Sequence, residues 1–298
     1  MLWVTWRQHR AQVLVTAALL AGTGVFLLVH GVHAADTAAG TAAQDLERAL
    51  GDDFRLAYQG LSWLPWVPAL VGVFWGAPLV SREFERGTFR VAWTQSVSRR
   101  RWLAVKLGVL GLLAALAGLA MGAMVGAWLH VFDGTRFADR FGDDSMFGST
   151  GVASAAWWLF AFLLGAASGA VVRRLLPAIA VTIAVFVAVL FTVIVFGRGN
   201  YAAPDRVVVD LDAAPITDTM VADYAWVDRG GREYTDNPPA CRSAGRAEYL
   251  DCLRDAGYRT VLYLHPPDRY WRFQWTETGI LLVLSAGLAG LTVRRLRS

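Results

Sequence analysis

Six long apolar runs dominate this 298-residue chain and limit what it can fold into. An α-helix needs about 20 apolar residues to cross the hydrocarbon core of a bilayer. A soluble fold would have to bury all six runs, and a chain with only 17% charged residues has too little polar sequence to cover them. The sequence therefore predicts an all-α polytopic membrane protein with six transmembrane helices, at residues 11–32, 61–80, 107–131, 154–172, 175–196 and 271–293.

The short connections between these runs differ in charge, and this difference predicts the orientation. Lys and Arg accumulate in short loops that stay in the cytoplasm. Fourteen basic residues fall on one side: at the N-terminus, in residues 81–106, between the fourth and fifth runs, and in the C-terminal tail. The alternate connections, residues 33–60 and 132–153, hold four basic against nine acidic residues. Both termini and residues 81–106 are therefore predicted to be cytoplasmic.

The N-terminus also has features of a signal peptide, because a basic start and an apolar middle are followed by Ala34 and Ala35. Its apolar part, residues 11–32, is longer than the ~7–15 residues of a typical signal sequence. We favour an uncleaved first span, preceded by a short amphipathic stub with Trp3 and Trp6 at the interface.

Glycines recur at a spacing of four residues in two of the runs. Gly118, Gly122 and Gly126 do so in the third run, and Gly165 and Gly169 in the fourth. Small residues at this spacing let helix backbones approach closely in a membrane. These runs are predicted to pack inside a bundle or across a dimer interface.

The chain divides into a membrane domain at residues 1–196, a module at residues 197–270, and a last span with its tail at residues 271–298. The module is predicted to be a small α+β insertion outside the membrane, with strands near 206–211 and 260–264 and a helix at 244–256. It contains the chain's only cysteines, Cys241 and Cys252. Two cysteines on the oxidising side, without a CxxC or HxxxH partner, predict a disulfide rather than a metal pair.

Sequence motifs for chemistry are missing. The chain has no Walker A sequence, no GxSxG elbow and no HExxH pair. No catalytic residue, cofactor or metal ligand is predicted, and nucleic acid is not an expected partner. Glu277, near the start of the sixth span, is the nearest candidate for an intramembrane ionisable group. It is either an interfacial carboxylate beside Arg272 or a candidate gate or substrate contact.

The connection at residues 81–106 allows two interpretations. Its basic residues can act only as anchors that set the topology, and Arg99, Arg100, Arg101 and Lys106 can also hold anionic lipid headgroups. Alternatively the segment binds a protein, because Arg82, Glu83, Glu85 and Arg86 alternate in charge as an interface with a fixed register does.

The same connection contains the pattern Glu83-x-Glu85-x-Gly87-Thr88, followed by Val97-Ser98-Arg99 and by Lys106 at the start of a span. In this pattern it resembles the loop between the second and third spans of the type-2 ABC-exporter permeases. Many family members have a proline where this chain has Ser96. Three further strings are similar to one branch of that class from high-GC bacteria: Trp6-Arg7-Gln8, Trp93-Thr94-Gln95-Ser96-Val97 and Phe273-Gln274-Trp275-x-Glu277.

This resemblance implies a non-enzymatic, multi-pass subunit of the bacterial plasma membrane. It would form a homo- or heterodimer and work with a separate ABC ATPase that binds ATP and Mg. The N-terminal stub would lie on the inner surface as an elbow helix, and the ATPase would dock on a coupling helix formed by Arg82, Glu83, Glu85, Arg86, Gly87 and Thr88. Two alternatives stay open: a membrane sensor or assembly protein with a ligand-binding outer loop, and a secondary transporter, although the inverted repeat expected of the latter is not seen.

Overall fold

The computed structural model describes residues 2–85, 99–133, 139–213, 216–242, 245 and 248–295. These residues include six helices that are long and apolar enough to cross a membrane, as predicted. The helices are α1 (Leu2–Gly40), α2 (Ala43–Leu61), α3 (Val67–Val71), α4 (Ala77–Glu85), α5 (Arg99–Leu129), α6 (Asp144–Ser149), α7 (Gly151–Val172), α8 (Leu175–Thr192), α9 (Tyr249–Ala256) and α10 (Tyr270–Arg295). The six spans lie in α1, α3 with α4, α5, α7, α8 and α10. We call the end of the bundle near residues 81–106 the loop end, and the end near residues 197–270 the module end.

Two expectations for the first 60 residues are wrong. Leu2–Gly40 is one continuous helix, so there is no separate N-terminal stub within it. Residues 33–60 are not a simple loop, because most of the segment is helical and α2 occupies Ala43–Leu61. One side of α2 is buried through Leu50, Phe54, Ala57 and Leu61, which share a helical face. Phe54 stacks on Trp128 of the third span at 5.5 Å between ring centroids, so α2 packs against the membrane helices.

The fourth span lies at the centre of the bundle, between the second, third and sixth spans. A Cβ atom added to Gly118 or Gly122 of the third span would come within 2.8 Å of backbone oxygens of the fourth, Ser154 O and Gly151 O respectively. Gly165 and Gly169 contact the second span in the same way. The predicted close packing is therefore confirmed at these four glycines, whereas none of the residues that the structure describes comes within 4 Å of the Cβ position of Gly126.

The second span is irregular. It starts with a 3-10 turn at Leu64–Trp66 and contains a π-helical turn at Gly72–Gly76. The added Cβ of Gly72 would lie 2.6 Å from Ala161 O, so both span backbones are in close contact here. A π-helical turn has one extra residue and disturbs the normal hydrogen-bond ladder. Within this turn, the Phe74 carbonyl accepts a hydrogen bond from Gln12 Nε2 of the first span at 2.7 Å.

The module contains a four-stranded antiparallel sheet in the order β1-β4-β2-β3. Its strands are β1 (Asp205–Val209), β2 (Met220–Val227), β3 (Glu233–Tyr234) and β4 (Arg259–His265). The sequence predicted β1 and β4 but missed β2 and β3, since β2 carries charged Asp223 and lacks a clear apolar alternation. The helix α9 begins at Tyr249, later than the predicted 244, although residues 244, 246 and 247 lie outside the described part.

The module is closed by a disulfide, and its His265 packs against the sixth span, with 4.7 Å between the ring centroids of His265 and Phe273. Cys241 and Cys252 are bonded, with their Cα atoms 5.8 Å apart, so the predicted disulfide is confirmed. The bridge sits beside Leu253 and Tyr258 in a small apolar cluster under the sheet. His265 is buried, and its Nε2 donates a hydrogen bond to Gly199 O at 3.2 Å.

Candidate functional site

Arg198 is a deeply buried charge at the module end. It follows a π-helical turn, Val193–Gly197, that extends the fifth span, and its side chain is 2% exposed. Arginine is almost never fully buried unless it is paired. Its partners come from two other parts of the chain: Glu277 in the sixth span and Asp144 at the start of α6.

The guanidinium holds both partners with short bonds. Nε donates to Glu277 Oε2 at 2.9 Å and Nη2 donates to Oε1 at 3.0 Å, which is the two-point geometry that makes an Arg–carboxylate pair strong. Nη1 donates to the Asp144 carbonyl at 2.7 Å and to Asp144 Oδ1 at 2.9 Å. The guanidinium carbon also lies 4.8 Å from the centre of the Phe147 ring. One side chain therefore connects α6 to the fifth and sixth spans.

Glu277 is fully buried and accepts from two further donors. Trp157 Nε1 of the fourth span donates to Oε1 at 2.7 Å, and the Tyr201 hydroxyl donates to Oε2 at 3.4 Å. A buried carboxylate requires such partners, because an uncompensated charge is costly away from water. The expectation of an interfacial carboxylate beside Arg272 is wrong, since the carboxylate pairs with Arg198. Whether Glu277 acts as a gate stays a prediction.

The sixth span makes a second polar contact one turn earlier. Gln274 Oε1 accepts from Ala153 N at 2.9 Å, and its Nε2 donates to Phe147 O at 2.9 Å. The first amides of a helix have no partner within that helix, so Gln274 satisfies the start of the fourth span from a neighbouring one. Tyr270, four residues before, shares a 2.9 Å hydrogen bond with Thr150. Residues 270, 274 and 277 thus form a polar stripe on one face of α10.

A carboxylate also fixes α6. Asp143 Oδ1 accepts from Ser145 N at 2.8 Å and Met146 N at 3.1 Å, as an N-cap does, and its other oxygen accepts from the Tyr58 hydroxyl. Burial alone would raise the pKa of Asp143, but the hydrogen bonds from Ser145 and Tyr58 outweigh it and hold that pKa below its usual value. Asp143 therefore stays ionised and keeps Asp144 in position for Arg198.

The chemistry of this site is that of a clamp. Arg198, Glu277 and Gln274 are engaged with other residues of the chain. In the part of the chain that the structure describes, no group of His, Cys, Asp or Glu side chains is arranged to hold a metal ion. Sequence reasoning selected Glu277 but missed its partner. Arg198 stands two residues after the fifth apolar run, where an arginine is also typical of a span end, so its position alone does not distinguish it.

At the loop end, the structure describes only part of the predicted docking segment. Arg82 and Glu85 are exposed near the end of α4. Glu85 Oε1 accepts from Leu175 N at 2.8 Å, so it lies at the first turn of α8, where the helix dipole favours a negative charge. Glu83 belongs to α4, but its side chain lies outside the description, and Arg86, Gly87 and Thr88 lie wholly outside it.

The predicted lipid and topology anchors stand at the start of α5. Arg99, Arg100 and Arg101 form its first turn, and their side chains are not among those described. Lys106 is only 3% exposed and therefore lies inside the bundle, not on its surface. The anchoring role of all four residues remains a prediction.

Comparison with known proteins identifies the family of this chain. Residues 10–198 match the family described as ABC-2 membrane transporter related. The match covers more than half of the chain and the first five spans, and the six apolar helices agree with it. The chain belongs to this family. It is therefore a membrane component of an ABC transporter, and members of this family are not themselves catalytic. No curated protein and no solved structure matches the chain.

Proposed function

We propose that this chain is the transmembrane subunit of an ATP-driven exporter in a bacterial plasma membrane, where it dimerises and couples to a separate ABC ATPase. The family match over residues 10–198 is the observation that carries the proposal. ATP and Mg would bind to the partner ATPase. The resemblance of residues 83–88 and 97–106 to exporter permeases supports outward transport of the substrate.

In this proposal the ATPase docks on the segment that begins at Arg82 and ends at Thr88. The exposure of Arg82 at the end of α4 supports this assignment. The bond from Leu175 N to Glu85 further supports it, because a force on this segment would reach the second and fifth spans together. A displacement of the second span would also move the fourth span, because the backbones of the two spans are in contact at Gly72 and Gly165.

The fifth span then provides a route to the module end. It begins beside Glu85 and extends through its π-helical turn to Arg198, whose bonds reach the sixth span and α6. Coupling between distant sites is carried by packed elements with two arrangements. We expect the Arg198–Glu277 pair to be the contact through which the fifth and sixth spans move together.

A charge reversal at Arg82 tests the docking site. Arg82→Glu should abolish the stimulation of ATPase activity that the assembled transporter shows with its substrate, while membrane insertion stays intact. Arg48→Glu is the matched control, because Arg48 is also an exposed helical arginine but belongs to α2, which contacts Asp143 at the module end. Unchanged stimulation in Arg82→Glu would remove the docking assignment.

Copurification in mild detergent tests the proposal as a whole. The tagged chain should bring down an ABC ATPase in a stable ratio. If the chain never copurifies with an ATPase, the exporter proposal fails and a sensor or assembly protein with a ligand-binding module becomes the better description.

A further inference from the structure

A cleft of about 580 Å³ separates the first and second spans. Its walls are exposed apolar side chains, Val15 and Leu19 from the first span and Leu70 and Phe74 from the second. Its floor is formed by buried side chains: Val71, Trp75, Met121 and Trp158. The volume lies within the ~300–1,000 Å³ typical of ligand pockets.

The cleft exists because its two walls pack on different neighbours. Gly72 brings the second span against Ala161 of the fourth. The first span instead leans on the third, where an added Cβ on Gly24 would lie 2.8 Å from Met124 Sδ and where Trp128 Nε1 donates to His30 at 3.1 Å. The two walls are therefore held by different neighbours, and a cleft remains between them beyond the Gln12–Phe74 bond.

The amide side chain of Gln12, at one end of the cleft, is satisfied within the protein. Gln12 Nε2 donates to Phe74 O at 2.7 Å, and Gln12 Oε1 lies 2.6 Å from His9 Nδ1. This network stands at the end of the cleft closest to the loop end. The remaining lining is almost entirely apolar. Its occupant should therefore be a hydrocarbon group, which needs no hydrogen bonds from the protein.

The length of the cleft matches one leaflet of a bilayer. At ~1.5 Å per helical residue, the segment from Ala11 to Thr23 covers about 18 Å, a little over half of the ~30 Å hydrocarbon core. Arg7 and Arg10 are exposed just beyond its Ala11 end. Arginines at the membrane surface attract anionic headgroups.

We propose that this cleft binds one acyl chain of an anionic phospholipid from the leaflet at the loop end, with the headgroup at Arg7 and Arg10. The acyl chain lies along Val15 and Leu19 and covers Trp75 and Met121. This assignment depends on the membrane fold but not on the ATPase or on the direction of transport.

Photolabelling of the whole chain in lipid nanodiscs tests the proposal. The probes are phosphatidylglycerol and phosphatidylcholine, each with the same diazirine near the middle of one acyl chain, and mass spectrometry maps the labelled residues. We expect residues 11–23 and 64–75 to be labelled several-fold more than the fifth span around Leu176, which is also exposed to lipid. Uniform labelling of all lipid-facing helices would overturn the proposal.

Two variants separate the acyl-chain site from the headgroup site. Leu19→Trp fills the cleft and should reduce labelling there several-fold, whereas Leu176→Trp, the same change at an exposed leucine outside the cleft, should leave it unchanged. Val15→Phe replaces Leu19→Trp if that variant does not fold. Equal loss of labelling in both tryptophan variants would contradict the acyl-chain site.

The headgroup site is tested by Arg7→Gln combined with Arg10→Gln. Phosphatidylglycerol should label the native cleft more strongly than phosphatidylcholine, by on the order of fivefold for each arginine, and the double variant should lose this preference. Equal labelling of the native cleft by the two lipids would overturn the assignment of an anionic lipid.

Discussion

The fourth and first spans are both long apolar helices, but they have opposite environments. We compare the most apolar stretch of each helix. In the fourth span 78% of that stretch is buried inside the protein, and in the first span only 6%, although the first span has the higher mean hydropathy. Hydrophobicity therefore places both helices in the membrane but does not decide which one occupies the centre of the bundle.

Small residues and buried polar contacts account for the difference. Lipid tails are as apolar as leucine, so helices associate in a membrane through close packing and hydrogen bonds. The fourth span offers Gly165 and Gly169 to the second, and its Trp157 and Ala153 bond to the sixth. The first span directs side chains such as Leu19 outward. Three sets of substitutions test this difference between the two spans.

The largest effect should come from Glu277→Leu, which removes the acceptor of Trp157 and leaves the Arg198 guanidinium buried with only Asp144. Breaking a buried ion pair from one side costs about 3–5 kcal/mol. Equilibrium unfolding in mixed detergent micelles measures the loss. Arg198→Met added to Glu277→Leu should recover a large part of it, because both buried charges are then removed and Asp144, which loses its partner, is half exposed. A single variant as stable as the native protein would show that the pair does not hold the spans together.

A medium effect should come from one methyl group at a helix contact. Gly165→Ala places a Cβ within 2.8 Å of Ala77 N and Gly72 C, where only backbone atoms can move, and should cost about 1–3 kcal/mol. Gly22→Ala makes the same change in the first span, where no neighbour within the described part of the chain lies within 4 Å of the added Cβ, and should cost nothing. Thermal unfolding of both variants in one detergent provides the comparison. Equal stability of the two would contradict the central position of the fourth span.

The smallest effect should come from two glutamines in similar hydrogen-bonding roles. Gln274→Ala removes two buried hydrogen bonds at the start of the fourth span and should cost about 1–2 kcal/mol. Gln12→Ala removes one exposed bond between the first and second spans, which should cost about 0.6 kcal/mol, and a local contact with His9 within the first span. The same unfolding measurement applies. A larger loss of unfolding free energy in Gln12→Ala than in Gln274→Ala would contradict the claim that the fourth span is held more tightly than the first.

Much of this architecture can be predicted from the sequence, because the insertion of a helix into a membrane depends on the summed hydrophobicity of consecutive residues. The six spans, the glycines of the third and fourth spans and the Cys241–Cys252 bridge follow from composition and spacing. Helix α2 and strand β2 do not, since each is held by contacts that are distant in sequence, such as Phe54 on Trp128. Arg198 was passed over for a similar reason: a single arginine after an apolar run is typical of a span end.

The six apolar runs and the charged residues between them are properties of the amino-acid sequence alone. The meeting of Arg198 and Glu277 across 79 residues, the central position of the fourth span and the cleft between the first and second spans arise from the packing of the helices. The physical reason is that burial of a helix in lipid is additive along the chain, whereas the partner of a buried charge depends on which helices pack together and on how each is rotated about its axis.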